Sequence, residues 1–138
     1  MNKQEILKVI GGCQIFHLAT IEGNKPHVRG MMLYRADENG IIFHTGKAKD
    51  LDKQLRANPA VEMCFNNLKN NVQIRVSGIV EQMEDAEFKE EIVANRPFLK
   101  PWIDQDGYGS LTVYRLKNGT ATIWTFENNF TPKTYIEL

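Results

Sequence analysis

The sequence lacks an excess of charge of either sign. Lys plus Arg and Asp plus Glu each number 17 among the 138 residues, so the formal net charge is zero. Because no positive field covers the whole chain, neither nucleic acid nor an anionic membrane surface is expected as a partner. The chain also lacks an apolar run near the roughly 20 residues that a membrane-spanning helix needs. Any site for an anion must therefore be a local cluster of basic groups.

Cysteine is scarce. Cys13 and Cys64 are the only two, and they do not form a paired motif. We expect both to be buried free thiols, as is usual in a reducing compartment, and we therefore expect a cytoplasmic protein. The first ten residues mix Lys3, Glu5 and Lys8 with apolar residues at helical spacing, which predicts a helix instead of a secretion signal.

Motifs for catalysis by protein side chains are also missing. The sequence has no Gly-x-Ser-x-Gly segment, and His17, His27 and His44 do not have the i, i+4 spacing of a helical zinc site. The carboxylates between Glu81 and Glu91 have the pattern of the solvated face of a helix. We therefore predict no catalytic residue and no metal site, and we expect the histidines to be core or hydrogen-bonded residues.

Repeats, low-complexity tracts and linker-like stretches are absent as well, so we expect one domain over residues 1–138. Short extended runs separated by turn residues predict a mainly β protein. Strands are predicted over 15–20, 26–35, 41–45, 60–65, 72–83, 111–116 and 120–127, and helices over 1–10, around 51–55, and from the cap Asp85 to about Asn95. Residues 97–109 are predicted to be a loop.

The predicted strands suggest a barrel. The first three are expected to form a meander, and Gly78 would permit a bend in the long strand 72–83. Three helices are too few to cover both faces of a parallel sheet. A closed or nearly closed antiparallel β-barrel with a few short helices is therefore predicted, because closure removes exposed strand edges.

The segment from Phe43 to Asp50 is a candidate phosphate site. A strand ends there in Thr45-Gly46 and a helix begins, which presents unpaired backbone N–H groups beside Lys47 and Lys49. The same residues would also suit a solvated loop with two surface lysines. The segment does not match the nucleoside-triphosphate loop pattern, which needs further glycines and a following Ser or Thr.

Arg29 is a candidate anion ligand on the second strand. It shares a face with His27, Met31 and Leu33, where a cation is costly unless an anion meets it. That anion is either a ligand phosphate or a paired carboxylate, and the alternative is a salt bridge at the barrel rim. Separately, the two tryptophans of the chain could flank a ring system or anchor the core or an interface.

The order of short motifs along nearly the whole chain is informative. The segments are 17–20 (HLAT), 25–29 (KPHVR), 42–49 (IFHTGKAK), 53–59 (KQLRANP), 61–62 (VE), 74–78 (IRVSG), 118–123 (NGTATI) and 132–135 (PKTY). This series resembles the pyridoxamine 5′-phosphate oxidase-like flavoproteins, the FMN-binding split-barrel group that includes general-stress and nitroimidazole-resistance proteins. The resemblance implies a split β-barrel.

The resemblance also implies a cofactor and an assembly. It implies a homodimer with FMN at the interface, each site lined by both subunits, and a small flavin-dependent oxidoreductase that meets a small-molecule electron donor or acceptor. The FMN-binding positions carried over are Arg29, Gly30, Met31, Thr45, Lys47, Lys49 and Gln54. The fuller oxidases have a Ser-Arg-Lys triplet where this chain has Lys49-Asp50-Leu51. Authentic pyridoxamine phosphate oxidase activity is therefore not expected.

Two other functions remain as alternatives. One is a non-catalytic barrel that binds or senses flavin, deazaflavin or haem, with His17, His27 or His44 as an axial haem ligand. The other is a small barrel that binds single-stranded nucleic acid, which the zero net charge disfavours.

Overall fold

A computed structural model describes residues 1–138 and is mainly β, with short helices. The strands are β1 (Ile15–Glu22), β2 (Lys25–Met32), β3 (Arg35–Asp37), β4 (Gly40–Gly46), β5 (Ala60–Asn67), β6 (Val72–Met83), β7 (Leu111–Leu116), β8 (Thr120–Thr125) and β9 (Tyr135–Glu137). The α-helices are α1 (Lys3–Gly11), α2 (Asp50–Ala57), α3 (Ala86–Asn95) and α4 (Lys100–Asp106), and short 3-10 helices cover Pro97–Leu99 and Tyr108–Ser110. None of these helices has the length and apolar character needed to cross a membrane.

All strand pairs are antiparallel, and the main path of the sheet is β2-β1-β5-β6-β7-β4-β3. Strand β6 joins the two halves of the barrel. Its residues 72–79 pair with β5, while residues 80–83 pair with β7. The change of partner comes one residue after Gly78, where an added Cβ would lie 3.4 Å from Gly119 Cα. The fold is thus the mainly β barrel that the sequence predicts.

The core lies between the two halves of the sheet and beneath α1 and α2. Three phenylalanines form its centre: the ring of Phe16 stacks on Phe65 at 5.1 Å and meets the edge of Phe43 at 5.9 Å. Ile6 and Ile10 of α1 are fully buried against this cluster. Each such side chain contributes about 1.5–3 kcal/mol when removed from water.

The helix starts follow local chemistry. Asn2 and Glu5 form a capping box at α1. Asp85 caps α3, as the sequence predicts, by accepting from two backbone N–H groups. Helix α2 differs, because its N-cap residue is Lys49 and no side chain caps its first turn. This uncapped start adjoins the candidate site.

The predicted three-strand meander is wrong. The predicted second strand, 26–35, is interrupted after Met32, because the N–H of Leu33 donates to Gln14 and the N–H of Tyr34 donates to Ile42. Residues 35–37 then form β3, which pairs with β4. Strand β4 pairs on its other side with β7 and has no ladder with β2. The break after Met32 therefore moves the chain from one half of the barrel to the other.

The predicted loop at 97–109 is also wrong, because it contains α4 and two 3-10 helices. Pro97 and Pro101 do not break these helices, because proline suits the first turn of a helix, where its missing N–H has no partner to lose. Gly107 ends α4 at φ 80°, a conformation that favours glycine. The three-residue strand β9 was missed, and β8 ends two residues before its predicted end.

Cys13 and Cys64 are free thiols, as predicted, but they are only partly buried. Burial raises the pKa of both thiols above the usual value. They are therefore mainly protonated at neutral pH and poor nucleophiles.

Candidate binding groove

A groove lies between the end of β2, the turn from β4 into α2, and helix α4. Its two adjoining parts measure about 470 and 520 Å³. Both parts are lined by Gly30, Met31, His44, Thr45, Ala48 and Lys49, so they form one continuous space. A volume of this size is in the range of sites for cofactor-sized ligands.

The groove has one apolar wall. Phe98, Leu99, Trp102 and Ile103 line it from the segment that carries α4. Phe98 is 52% exposed and Trp102 is 60% exposed, so both of these groove-lining aromatic side chains have accessible surface. Aromatic surface of this kind suits the face of a planar ring.

Arg29 stands on the opposite side, on β2. Its Nη1 donates to the backbone oxygen of Leu18 (3.2 Å) and to Thr20 Oγ1 (2.8 Å), and its Nη2 donates to Gln54 Oε1 (2.7 Å). It forms no ion pair with a carboxylate. Burial lowers the pKa of this guanidinium, which nevertheless stays protonated at neutral pH. The structure therefore does not support the rim salt bridge or the paired carboxylate, and it leaves an uncompensated cation at the groove.

Gln54 lies behind Arg29 and does not line the groove. It is buried on α2, and its Oε1 accepts from both Arg29 and Thr20 Oγ1, the latter at 2.6 Å. Thr20 is also buried. The amide and the hydroxyl thus hold the guanidinium in place with neutral partners, which leaves its charge intact.

The turn between β4 and α2 forms the polar wall. The backbone N–H of Lys47 donates to the backbone oxygen of Ser110 (2.9 Å), and that of Lys49 donates to the backbone oxygen of Gly46 (3.0 Å). These two hydrogen bonds fix the turn. The side chains of Lys47 and Lys49 are exposed, and Thr45 is buried beneath them. Asp50 also lines this end, so the lysine charges act beside one carboxylate.

His44 lies on the groove floor, on β4. Its Nε2 is 2.6 Å from Nη1 of Arg96. Burial, with the charges of Arg96 and Lys49, lowers the pKa of the imidazole to about 4. His44 is therefore neutral at physiological pH.

The structure brings together six of the seven predicted site residues. Arg29, Gly30, Met31, Thr45, Lys47 and Lys49 all line the groove. Of the two tryptophans, Trp102 faces the groove, whereas Trp124 lies elsewhere and donates to Asn129. The sequence analysis missed Phe98, Ile103 and Arg96. Phe98 carried a usable signal, because its spacing to Trp102 is helical, whereas Arg96 carried none.

The family model for pyridoxamine 5′-phosphate oxidase matches residues 3–125. The chain belongs to the pyridoxamine 5′-phosphate oxidase family. This confirms the resemblance inferred from the ordered motifs.

Curated relatives in the family are longer. The pyridoxine/pyridoxamine 5′-phosphate oxidase of Ralstonia pickettii is 37% identical over 71 residues, which are 51% of this chain and 34% of that protein. The Brucella anthropi enzyme of the same name is 35% identical over 81 residues, 58% of this chain and 39% of that protein. The aligned part thus spans between a third and two fifths of these relatives.

Solved structures match over most of the chain. A NimC/NimA family protein from Clostridium acetobutylicum is 29% identical with a TM-score of 0.78, covering 97% of this chain and 91% of that chain. General Stress Protein 26 from Bacillus anthracis is 20% identical with a TM-score of 0.72, covering 99% of this chain and 98% of that chain. The second likeness shows the fold alone, and both structures share the split-barrel fold of this chain.

Neighbours with the same fold are named for different cofactors. An FMN-binding protein from Nostoc punctiforme is 12% identical with a TM-score of 0.60, covering 91% of this chain and 87% of that chain. A FAD-binding protein from Mesorhizobium loti is 15% identical with a TM-score of 0.63, covering 91% and 96%. A haem-binding protein from Mycobacterium smegmatis is 12% identical with a TM-score of 0.72, covering 97% and 57%.

Proposed function

We propose that this chain is an FMN-binding flavoprotein and that FMN bound in the groove makes it a small flavin-dependent oxidoreductase. One observation carries the proposal: Arg29 is a half-buried cation with no carboxylate partner, at one side of a groove whose other side is aromatic. A ligand that joins a phosphate to a large planar ring fits both features. Membership of the family and a neighbour named as FMN-binding support the same cofactor.

The phosphate would be held at the basic end of the groove. Arg29 has neutral hydrogen-bond partners, so its charge is free for an anion. Lys49 stands at the uncapped start of α2, where the first-turn N–H groups and the helix dipole favour a negative group. Together with Lys47, these groups supply three positive charges at one end of the site.

The ring would lie along β2 and against the aromatic wall. Strand β2 is at the edge of the sheet, so its outward N–H and C=O groups have no strand partner. Gly30 is exposed there, and nothing lies within 4 Å of where a Cβ would stand. The backbone edge is therefore accessible to the polar rim of a flavin, while Phe98 and Trp102 offer apolar surface to its face.

When bound, FMN supplies the electron transfer, and the chain supplies binding and orientation. Arg29 and Lys49 would anchor the phosphate, and β2 would set the position of the ring. No side chain needs to act as nucleophile, in agreement with the absence of a nucleophile motif from the sequence.

We also propose that two copies associate over the outer face of the sheet. Ile15, Ile21, Val28, Met32 and Ile79 lie on that face in register, and each is between 44% and 69% exposed. An apolar face next to an unpaired edge strand is typical of a surface that a partner covers. A second copy would also narrow the groove, which is open to solvent in the single chain.

Haem is the weaker candidate for this groove. The histidine that lines it, His44, accepts from Arg96 at Nε2, so its accessible nitrogen carries the proton. An axial haem ligand needs an unprotonated nitrogen facing the iron. FMN remains the cofactor that the groove supports best, and the half-buried free cysteines accord with the cytoplasmic location that we propose.

The proposal is tested on freshly purified protein. We expect absorption bands in the blue and near ultraviolet, and release of a cofactor with the mass of FMN. Light scattering should give twice the 15.8 kDa chain mass at micromolar concentration. A colourless protein that does not take up added FMN would contradict the cofactor assignment, a Soret band would favour haem, and a monomer would contradict only the proposed assembly.

A further inference from the structure

Arg96 makes an unusual contact for a half-buried arginine. Its Nη1 lies 2.6 Å from His44 Nε2, and its Nη2 donates to the backbone oxygen of Leu33 at 2.7 Å. No carboxylate forms an ion pair with it. The guanidinium is thus held by two neutral acceptors at once.

Neighbouring groups fix the position of Arg96. Its guanidinium carbon lies 5.1 Å from the centre of the Tyr34 ring, within the range of a cation–π contact. The hydroxyl of Tyr34 donates to Glu91 (2.7 Å) and accepts from Asn95 (3.0 Å). The arginine therefore has little freedom to move away from His44.

The contact determines which nitrogen of His44 carries the proton. A guanidinium has only donors, so Nε2 of His44 must be the acceptor, and in the neutral ring the proton is on Nδ1. Nδ1 has no hydrogen-bond partner within the chain, and it is not buried. Because His44 lines the groove, Nδ1 is accessible from it. The donor that His44 presents to the groove is therefore Nδ1–H.

The same contact opposes a positive charge on His44. Protonation of Nε2 would break the hydrogen bond and place the imidazolium against the guanidinium. The charges that act on His44 are those of Arg96, from the end of α3, and Lys49, from the turn before α2, and both are positive. Burial acts in the same direction. Asp50 and Asp106 also line the groove.

We propose that Arg96 is a positioning residue that holds His44 as a neutral Nδ1–H donor facing the groove, for an acceptor atom on the ring of the bound ligand. A carbonyl oxygen or an unprotonated ring nitrogen would be recognised, and a ring N–H would be rejected. The proposal rests on the proposed function only for the identity of that ring. Arg96 also directly precedes Pro97, where the segment that forms the aromatic wall begins. The hydrogen bond between Arg96 and His44 therefore connects this wall to the groove floor.

The test is a long-range ¹⁵N–¹H spectrum of the imidazoles in the wild-type protein, recorded from pH 7 to pH 4. We expect a protonated Nδ1 and a bare Nε2 for His44 at pH 7, with no protonation step until pH about 4. An Nε2–H tautomer, or a midpoint near the ordinary value of 6.5, would overturn the proposal. This measurement needs no variant, so a folding defect cannot obscure it.

Two variants sharpen the result. Arg96→Leu should raise the His44 midpoint toward 6.5 and allow both tautomers, whereas Lys100→Ala, which removes a nearby surface charge bonded to Asp104, should leave both unchanged. Added FMN should then shift the Nδ1–H proton resonance of the wild type. An Nδ1–H tautomer without any response to bound FMN would overturn the donor role, whereas FMN that does not bind would contradict the proposed function and leave the tautomer result intact.

Discussion

Two half-buried arginines without a carboxylate partner stand at the groove, one on its side and one behind its floor, and the two are held differently. Arg29 is held by Thr20, Gln54 and a backbone oxygen, and it lines the open groove. Arg96 lies behind His44, which lines the groove in its place. An arginine without a carboxylate partner therefore has two uses in this groove. At Arg29 the charge itself is available to a ligand, and at Arg96 the charge fixes the state of His44.

Removing Arg29 should have the largest effect on binding. Arg29→Leu should weaken FMN about a hundred-fold, because charge-assisted hydrogen bonds to the phosphate contribute about 1.5–3 kcal/mol each. Riboflavin, which lacks the phosphate, should change by less than about three-fold. Arg115→Leu is the matched control, since Arg115 pairs with Glu81 away from the groove. Equal losses for both ligands would show that Arg29 supports the fold and not the phosphate.

The contact between Arg96 and His44 should affect how the free energy of unfolding depends on pH. The pKa of His44 is about 4 in the folded protein and about 6.5 when unfolded, so the unfolded state binds more protons between these values. The free energy of unfolding should therefore fall as pH drops from 6.5 to 4, by about 2–3 kcal/mol from this group. His44→Gln should lack this part of the decline in chemical denaturation. If the free energy of unfolding falls with pH equally in the wild type and in His44→Gln, the pKa of His44 is not lowered by folding.

The sequence predicted one side of this comparison and not the other. The polar wall is contained in one short segment, 44–49, and Arg29 is identified by its place in an alternating strand, so both were found by local spacing. The contact between His44 and Arg96 joins residues 52 positions apart, and no local pattern encodes it. The wall of α4 was missed because residues 97–109 were predicted to be a loop, although Pro97 and Pro101 each stand in the first turn of a helix.

The fold shows the same division. The strands, the cap at Asp85 and the change of partner after Gly78 follow from local chemistry. The meander prediction failed because strand pairing is decided by the whole sheet, in which β4 pairs with β7 and not with β2. The role of Gln54 is of this kind too: it was assigned to the cofactor, and the structure places it behind Arg29.

A carboxylate at position 54 should give Arg29 the ion-pair partner that it lacks. Gln54→Glu puts a carboxylate against Nη2 of Arg29, so a phosphate would have to compete with it. FMN should bind at least about ten-fold more weakly while riboflavin is little affected, because the lost interaction is charge-assisted. The surface variant Gln4→Glu provides the control. FMN affinity that is unchanged in Gln54→Glu would mean that the phosphate does not meet Arg29.

The smallest effect is expected at Lys49, whose side chain is exposed at the start of α2. Lys49→Ala should weaken FMN about ten-fold, near the low end for a charge-assisted hydrogen bond, and leave riboflavin unchanged. Lys53→Ala, one turn further along α2, should change neither affinity. Melting curves for both variants check the fold. If Lys49→Ala behaves like Lys53→Ala, Lys49 is a solvated residue and not part of the phosphate site.

The central claim is that an uncompensated cation at Arg29 makes this groove a site for a phosphorylated flavin. Titration of the wild-type protein, freed of any cofactor, with FMN and with riboflavin under the same conditions tests it most directly. Contacts from Arg29 and Lys49 predict that FMN binds about a hundred-fold more tightly, or more. Equal dissociation constants for the two ligands would contradict the account.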